Sequence, residues 1–410
     1  MNPTLAGTSD RDPLSYRAGE RMVFTLRAEN APADSHLRWI RTGDDGRIES
    51  GALSLVTRHA SLVTSLDRPG FVRLRADLID ATGNAVAHFE GGAAADADAL
   101  RADAPEPPDF DAFWARRKAA LAAVPMDGAT CRPIDSPSDA VRIFEVSIPC
   151  PGGRPSTGLL SVPARGGRFP ARVRFRGYQA SWSELAWKTP PREELPDDAI
   201  VLFLSAHGFA FNRDPGYYAA LRAVSGSNGC DVAFDPVQNA DPGTAYFGGM
   251  SWRVLRGLEY LKSRPEWDGA NLLVFGGSMA GLQSIWAAAL DPDVTECRPR
   301  IPWCCNMAGP ATGREHGDWF VPWVPALGYY DPVHLARRIP AACRVVVPQA
   351  GLGDYISPPS GVMAFYNALA CPKKITFIQG AMHFTLPPEP WQTARRIDGF
   401  AAGLPRASDV

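Results

Sequence analysis

Asn271-Leu272-Leu273-Val274-Phe275-Gly276-Gly277-Ser278-Met279-Ala280-Gly281 is the stretch on which the fold turns. An apolar strand ends in small residues, a single serine sits among them, and an alanine-rich segment to Leu290 follows at once. Strand, tight turn and helix in that order form the context of a nucleophile elbow. The turn is too tight for bulky neighbours, which would strike the adjoining strand and helix. The serine hydroxyl then projects above the C-terminal edge of a sheet, near a helix N-terminus. There the Met279 amide can help to stabilise an oxyanion. The glycine usual two residues after the serine is Ala280 here, with Gly281 behind it. One added methyl predicts crowding rather than loss of function. The pattern alone also fits a glycine-rich turn with no chemistry.

Working outward, apolar strand candidates lie at 141–148, 156–163, 171–176, 199–205, 271–275, 343–348 and 374–379. Helical candidates between them include Trp252 to Ser263 and Ala280 to Leu290. Near-continuous apolar strands separated by helices indicate a sheet covered on both faces. An acid and a histidine follow Ser278 in the order that a hydrolase of this kind uses. Val345 to Pro348 ends a strand, and Asp354 lies in the loop beyond it. Ile375 to Ile378 reads as the last strand, and His383 lies just past it. His383 can take the Ser278 proton and later deliver it to a leaving alcohol, while Asp354 holds the imidazole tautomer. A lone loop aspartate is usually a solvated turn residue, and a lone histidine is more often a packing residue. Against that, the chain has only 7 His, and this one stands where the order requires it.

The first hundred residues have a different texture. Met22 to Leu26, Leu37 to Ile40, Ala52 to Val56 and Phe71 to Ala76 place apolar residues at about every second position, separated by turn formers such as Pro69-Gly70 and Gly83-Asn84. Short antiparallel strands with one buried face follow from that alternation, and several in succession predict a small β-sandwich. Its expected role is packing, oligomerisation or a wall over the active site, with carbohydrate binding as a less favoured reading. Alanine-rich sequence then runs into Ala104-Pro105-Glu106-Pro107-Pro108-Asp109, a stiff link. Asp109 is placed to cap a helix beginning at Phe110. The expected division is therefore a β-sandwich accessory domain over 1–102 and a catalytic domain over 103–410.

Composition narrows the function. The chain has 410 residues, 42 Lys and Arg against 44 Asp and Glu, and a formal net charge of -2. That balance leaves no electrostatic footprint for nucleic acid. No apolar run approaches the length of a membrane span, and the first residues lack a signal-peptide core. A cytoplasmic location is expected, with secretion left open if a signal peptide has been removed. The 8 Cys form no C-x-x-C pair, which gives a zinc or thioredoxin-like reading no support. Cys304 and Cys305 are adjacent and fit core residues, reduced thiols or members of separate disulfides.

Further segments carry a resemblance. Pro108-Asp109-Phe110-Asp111-Ala112-Phe113-Trp114, Arg174-Phe175-Arg176-Gly177-Tyr178 and Tyr330-Asp331-Pro332-Val333-His334-Leu335-Ala336-Arg337-Arg338-Ile339 are the first three. Leu258-Glu259-Tyr260-Leu261 followed by Arg264-Pro265-Glu266, Gly353-Asp354, and Pro358-Pro359-Ser360-Gly361 through Leu369 complete the set. From about residue 105 onward the chain resembles the acetyl xylan esterase / cephalosporin C deacetylase family of α/β-hydrolases, the seventh carbohydrate esterase family. The resemblance implies an α/β-hydrolase fold, to which the N-terminal β-sandwich is an addition. It carries Ser278, Asp354 and His383 over as the catalytic triad, and the backbone amides of Tyr178 and Met279 as the oxyanion hole. It implies removal of a small acyl group, acetyl above all, from a sugar or related small-molecule ester. No metal or organic cofactor enters that chemistry. Members often form closed oligomers, so a homo-oligomer is left open.

Three departures bear on the pocket. Arg176 stands where the family has histidine, Met279-Ala280 replaces Gln-Gly after the serine, and Ser205-Ala206-His207-Gly208 replaces an Asp-x-Arg-Gly segment. Tyr178, Trp182, Trp187, Phe209 and Phe211 are the aromatic residues expected at the rim, where they would favour a short acyl group. The competing readings are a serine peptidase, against which the short N-terminal region offers no repeated blades, and a non-catalytic binding or scaffold protein on the same fold.

Overall fold

The computed structural model describes residues 2–178, 189–387 and 391–400. Seven strands come first: β1 (Thr4–Ser9), β2 (Met22–Glu29), β3 (His36–Gly43), β4 (Glu49–Ser54), β5 (His59–Thr64), β6 (Gly70–Ile79) and β7 (Ala85–Ala95). They make two antiparallel sheets, ordered β1-β2-β5 and β4-β3-β6-β7. Alternation drives this arrangement, since β2 buries Met22, Phe24, Leu26 and Ala28 while the residues between them are less buried. Those side chains meet Leu37, Val72, Leu74, Ala76 and Leu78 of the other sheet in one apolar core. The expected sandwich is present.

The remaining chain forms a second, larger layer structure. Helix α1 (Phe110–Ala122) leads into β8 (Thr130–Ile134), β9 (Val141–Ile148), β10 (Ser156–Pro163), β11 (Phe169–Phe175) and β12 (Ile200–Ser205). Helices α2 (Pro215–Ser225), α3 (Pro236–Asn239) and α4 (Tyr246–Lys262) precede β13 (Trp267–Gly277) and α5 (Met279–Leu290). The order then runs β14 (Glu296–Arg300), α6 (Pro332–Leu335), β15 (Arg344–Gly351), α7 (Pro359–Ala368), β16 (Lys373–Ile378) and β17 (Thr393–Asp398). One ten-stranded sheet results, ordered β17-β16-β15-β14-β13-β11-β12-β10-β9-β8. Its centre, from β12 through β16, is parallel, and both flanks are antiparallel.

Both faces of the sheet are covered, as the continuous apolar strands require. Leu202 and Leu204 of β12 join the main core, whereas Val201 and Phe203 pack with Phe209, Phe211 and Tyr218 on the opposite side. Phe71, Ala94, Ala97 and Leu100 from the N-terminal region also enter the main core. The accessory sheets are thus seated on the catalytic layer with no intervening gap.

Two sequence expectations about the fold need correction. His383 does not follow the last strand: β17 comes after it and closes the sheet edge against β16. Asp109 makes no side-chain capping bond. Its carboxylate instead takes the Arg116 guanidinium and the Tyr329 hydroxyl, both of which outcompete a backbone amide for charge. All 8 Cys are free thiols, Cys304 and Cys305 among them. No helix is long and apolar enough to cross a membrane among the described residues.

Candidate active site

Ser278 sits at φ 60°, ψ −124°, between the end of β13 and the first turn of α5. A non-glycine residue there carries backbone strain of about 1–3 kcal/mol, held in place by its surroundings. The Ser278 amide donates to the Arg300 carbonyl at 3.0 Å, and its carbonyl accepts from Trp303 at 3.2 Å and Leu282 at 3.1 Å. Both sides of the elbow are therefore clamped, the amide to the last residue of β14 and the carbonyl to the chain just beyond it and to α5.

The small residues have separate reasons. A side chain on Gly281 would come within 3.0 Å of the Arg300 carbonyl and the Pro302 backbone. A side chain on Gly276 would run into the Ala280 methyl. Ala280 is tolerated at a position where glycine is usual because Gly276 leaves its methyl the room; at 1% exposure it fills that space. The crowding expected from the sequence is absorbed there. Gly276→Val is accordingly expected to lower stability by about 1–3 kcal/mol, the ordinary cost of overpacking. Chemical denaturation should show a lower midpoint at unchanged slope. A midpoint equal to the parent's would mean that strand and helix part without cost.

The three polar residues at the sheet rim meet. His383 Nε2 lies 2.8 Å from Ser278 Oγ, and His383 Nδ1 lies 2.9 Å from Asp354 Oδ2. A serine hydroxyl that donates to Nε2 puts the ring proton on Nδ1, where it donates to the carboxylate. Asp354 is itself fixed, its Oδ1 accepting from the Ile356 and Ser357 amides at 3.1 and 2.9 Å. Asp354 and His383 are buried, whereas Ser278 keeps partial access to solvent.

The Met279 amide begins α5, so it lies at the positive end of that helix. Tyr178 lies shortly after the end of β11 at Phe175. Gln283 of α5 donates to the Arg176 carbonyl at 3.0 Å, tying the turn before Tyr178 to the helix that begins with Met279. Arg176 packs near the Phe211 ring, 5.7 Å from its centroid. Burial, reinforced by Arg174, pulls its ionisation down to about 10, which still leaves it cationic at neutral pH. His207 is fully buried, shares a 2.6 Å hydrogen bond with the Tyr246 hydroxyl, and is held neutral by burial, with a pKa down to about 3.

The aromatic rim differs in part from the expected one. Phe209 and Phe211 are fully buried in the small core behind the sheet, where packing under β10 and β12 claims them. Trp182 and Trp187 lie outside the described residues. Tyr178 does belong to an aromatic cluster, with Trp319 at 4.8 Å between ring centroids, Phe234 at 6.1 Å and Trp303 at 6.1 Å. Trp303 and Trp319 stack at 5.0 Å. Phe234, Trp303 and Trp319 were not legible as a set because they come from separate loops. No local signal marked Trp303 either, because the strand it follows, β14, is a charged, proline-interrupted segment. Beside this cluster lies a pocket lined by Trp303, Met307, Phe320, Val321 and Ile356, with Arg314 and Glu315 on one wall. Among the described residues no group of three or more His, Cys, Asp or Glu is arranged to hold a metal ion.

Comparison with known proteins places this site in context. The family model described as acetyl xylan esterase matches residues 96–189 and 321–397, beginning just after β7. The acetyl esterase Axe7A of Xylanibacter ruminicola is 27% identical over 363 residues, covering 82% of this chain and 76% of that protein. Among solved structures, an acetyl xylan esterase from Paenibacillus sp. R4 superimposes with a TM-score of 0.59 at 24% identity, over 71% of this chain and 94% of that one. Acetyl xylan esterase 1 from Thermoanaerobacterium sp. gives 0.58 at 20% identity, over 71% and 93%. At such identities the structural likeness speaks for the fold.

Proposed function

Since the chain belongs to the acetyl xylan esterase family of α/β-hydrolases and is a serine esterase acting on small acyl esters, we propose that Ser278, His383 and Asp354 perform the hydrolysis and that the substrate is an acetylated sugar hydroxyl. The observation that carries this reading is the continuous relay from Ser278 Oγ to His383 Nε2 at 2.8 Å and from Nδ1 to Asp354 at 2.9 Å. Ser278 Oγ attacks the ester carbonyl while His383 Nε2 takes its proton. The carbonyl oxygen becomes an oxyanion facing the Met279 and Tyr178 amides. Collapse of the tetrahedral intermediate expels the alcohol, which receives the proton from His383 and leaves an acetyl-serine. Water then gives a proton to His383, attacks the acyl carbonyl and releases the acid, returning the proton to Ser278. Throughout, Asp354 keeps the imidazole oriented and stabilises its cationic form. The sugar part of the proposal rests on the names of the relatives, and small size of the acyl group is supported by the ring cluster of Tyr178, Phe234, Trp303 and Trp319.

Each methylene beyond acetyl should meet that cluster, at a cost of about 1–3 kcal/mol in transition-state binding. Acetate esters of p-nitrophenol are therefore expected to turn over at least about tenfold more efficiently than butyrate, with octanoate weaker still. The same enzyme preparation should deacetylate acetylated xylo-oligosaccharides or cephalosporin C. A preference for octanoate would overturn the short-acyl reading. Activity on p-nitrophenyl acetate with none on either natural-type substrate would leave the mechanism and remove the sugar-ester assignment.

A further inference from the structure

The loop from Gly309 to Val321 brings Trp319 to Tyr178 and Trp303, yet several of its anchoring points, at Thr42, Asp44, Pro69 and Arg73, lie in the N-terminal sheets. Asp44, just beyond β3 and 1% exposed, accepts from the Phe71 amide of its own domain at 2.8 Å. Its second oxygen accepts from the Glu315 amide across the boundary, also at 2.8 Å. Arg314 donates twice to Asp103, at 2.9 and 3.1 Å, and once to the Pro69 carbonyl at 2.9 Å. The Glu315 carboxylate accepts from the Thr42 hydroxyl at 2.9 Å and from the Arg73 guanidinium at 3.0 Å. Arg73 also lies 4.2 Å above the Tyr355 ring, and Tyr355 follows the triad residue Asp354. Two residues past Glu315, the Gly317 amide donates to the Tyr355 carbonyl at 2.7 Å.

These charges are largely withdrawn from water: the side chains of Arg314 and Arg73 are 12% and 13% exposed. Buried ionic groups tolerate few alternative arrangements, because any other one leaves a charge unmatched. A loop held by them has one position relative to the β3 and β6 edge. We propose that the N-terminal domain determines acyl selectivity, with Asp44, Thr42 and Arg73 acting as positioning residues for the Arg314-Glu315 segment and hence for Trp319. The inference rests on the esterase reading above and adds determinants at Thr42, Asp44 and Arg73, positions outside the residues matched by the family model.

The test uses the full chain and reads selectivity per functional site. Asp44→Ala, Glu315→Ala and the conservative Glu315→Gln are titrated with a serine-directed phosphonate, and kcat and KM are measured on p-nitrophenyl acetate and butyrate. In the two alanine variants the acetate-to-butyrate ratio of kcat/KM is expected to fall about tenfold, chiefly through KM for acetate, with kcat per titrated site within about threefold of the parent. Glu315→Gln keeps an acceptor for Thr42 and Arg73 and should restore the ratio to within about twofold. A purely structural role would reduce the titratable fraction and leave the ratio alone, and that result would overturn the proposal. Where Asp44→Ala fails to fold, Thr42→Val removes a single hydrogen bond and should shift the ratio about threefold; an unchanged ratio there has the same consequence. A parent enzyme inactive on both esters would instead remove the esterase reading itself.

Discussion

Ser278→Ala is expected to lower ester hydrolysis by roughly a millionfold, and His383→Ala by about as much, because members of such a set act as a unit. Asp354→Asn should cost less, on the order of ten-thousandfold, since an amide can orient the ring in the wrong tautomer and cannot stabilise its cation. The geometry explains the ranking. Ser278 Oγ lies 2.8 Å from His383 Nε2, which serves as its base in the proposed mechanism, and His383 Nδ1 lies 2.9 Å from the Asp354 carboxylate. The Ser278 substitution deletes one half-accessible oxygen, so the denaturation midpoint should stay near the parent's. Single-turnover measurements on purified protein, with the midpoint recorded alongside, provide the check. A folded Ser278→Ala protein retaining more than about one per cent of parental kcat would reject this serine as the nucleophile.

Removing residues 1–102 is expected to abolish soluble, active protein altogether. Phe71 packs on Phe377 with ring centroids 5.8 Å apart, and Ala94, Ala97 and Leu100 complete the same core. Gln379 of the His383-bearing segment uses its amide twice on Gly92, donating to the carbonyl at 3.0 Å and accepting from the amide at 2.9 Å. Asn367 of α7 donates to the Ala97 and Leu100 carbonyls at 2.9 and 3.1 Å. Each buried polar group stranded by the truncation costs about 1–3 kcal/mol, against a total stability of about 5–15 kcal/mol for a typical domain. Expression of residues 103–410, followed by size-exclusion chromatography and an esterase assay, tests the point. A monodisperse fragment with parental activity would show the accessory sheets to be dispensable. On that expectation, the division proposed between residues 102 and 103 would mark a change of architecture, with both parts needed for folding.

What the sequence disclosed, and what it hid, follows from the range of the interactions. Ser278, Asp354 and His383 could be found because each lies just past an apolar strand, and strand ends in a parallel sheet share one rim. The strand β14 was hidden: Glu296-Cys297-Arg298-Pro299-Arg300 alternates charge with a proline, and β15 pairs only with Glu296 and Cys297. Nothing local marks it as the neighbour of β13. The edge strand β17, Thr393-Ala394-Arg395-Arg396-Ile397-Asp398, was equally quiet, since a one-sided strand needs few apolar residues. Phe209 and Phe211 misled because aromatic density near a strand end does not say which face of the sheet it serves. The bonds from Asp44 to Glu315 and from Gly92 to Gln379 join positions 271 and 287 residues apart. No periodicity or turn signal reports contacts of that separation.

The same long separations govern the order of events on the ribosome. Ser9 is matched by Gln392 and Asp12 by Arg396, so the two ends of the described chain close on each other. Strands β1 to β7 leave the exit tunnel first, but the Gln379 amide that docks on Gly92 is made 287 residues later. At synthesis rates of about 5–20 residues per second, that interval is roughly 15–60 seconds. For nearly all of it Phe71, covered in the finished molecule, lacks the Phe377 ring that packs on it. The nascent N-terminal sheets meet that interval before their docking partner exists, and exposed strand edges left unpaired for so long are open to a neighbouring chain.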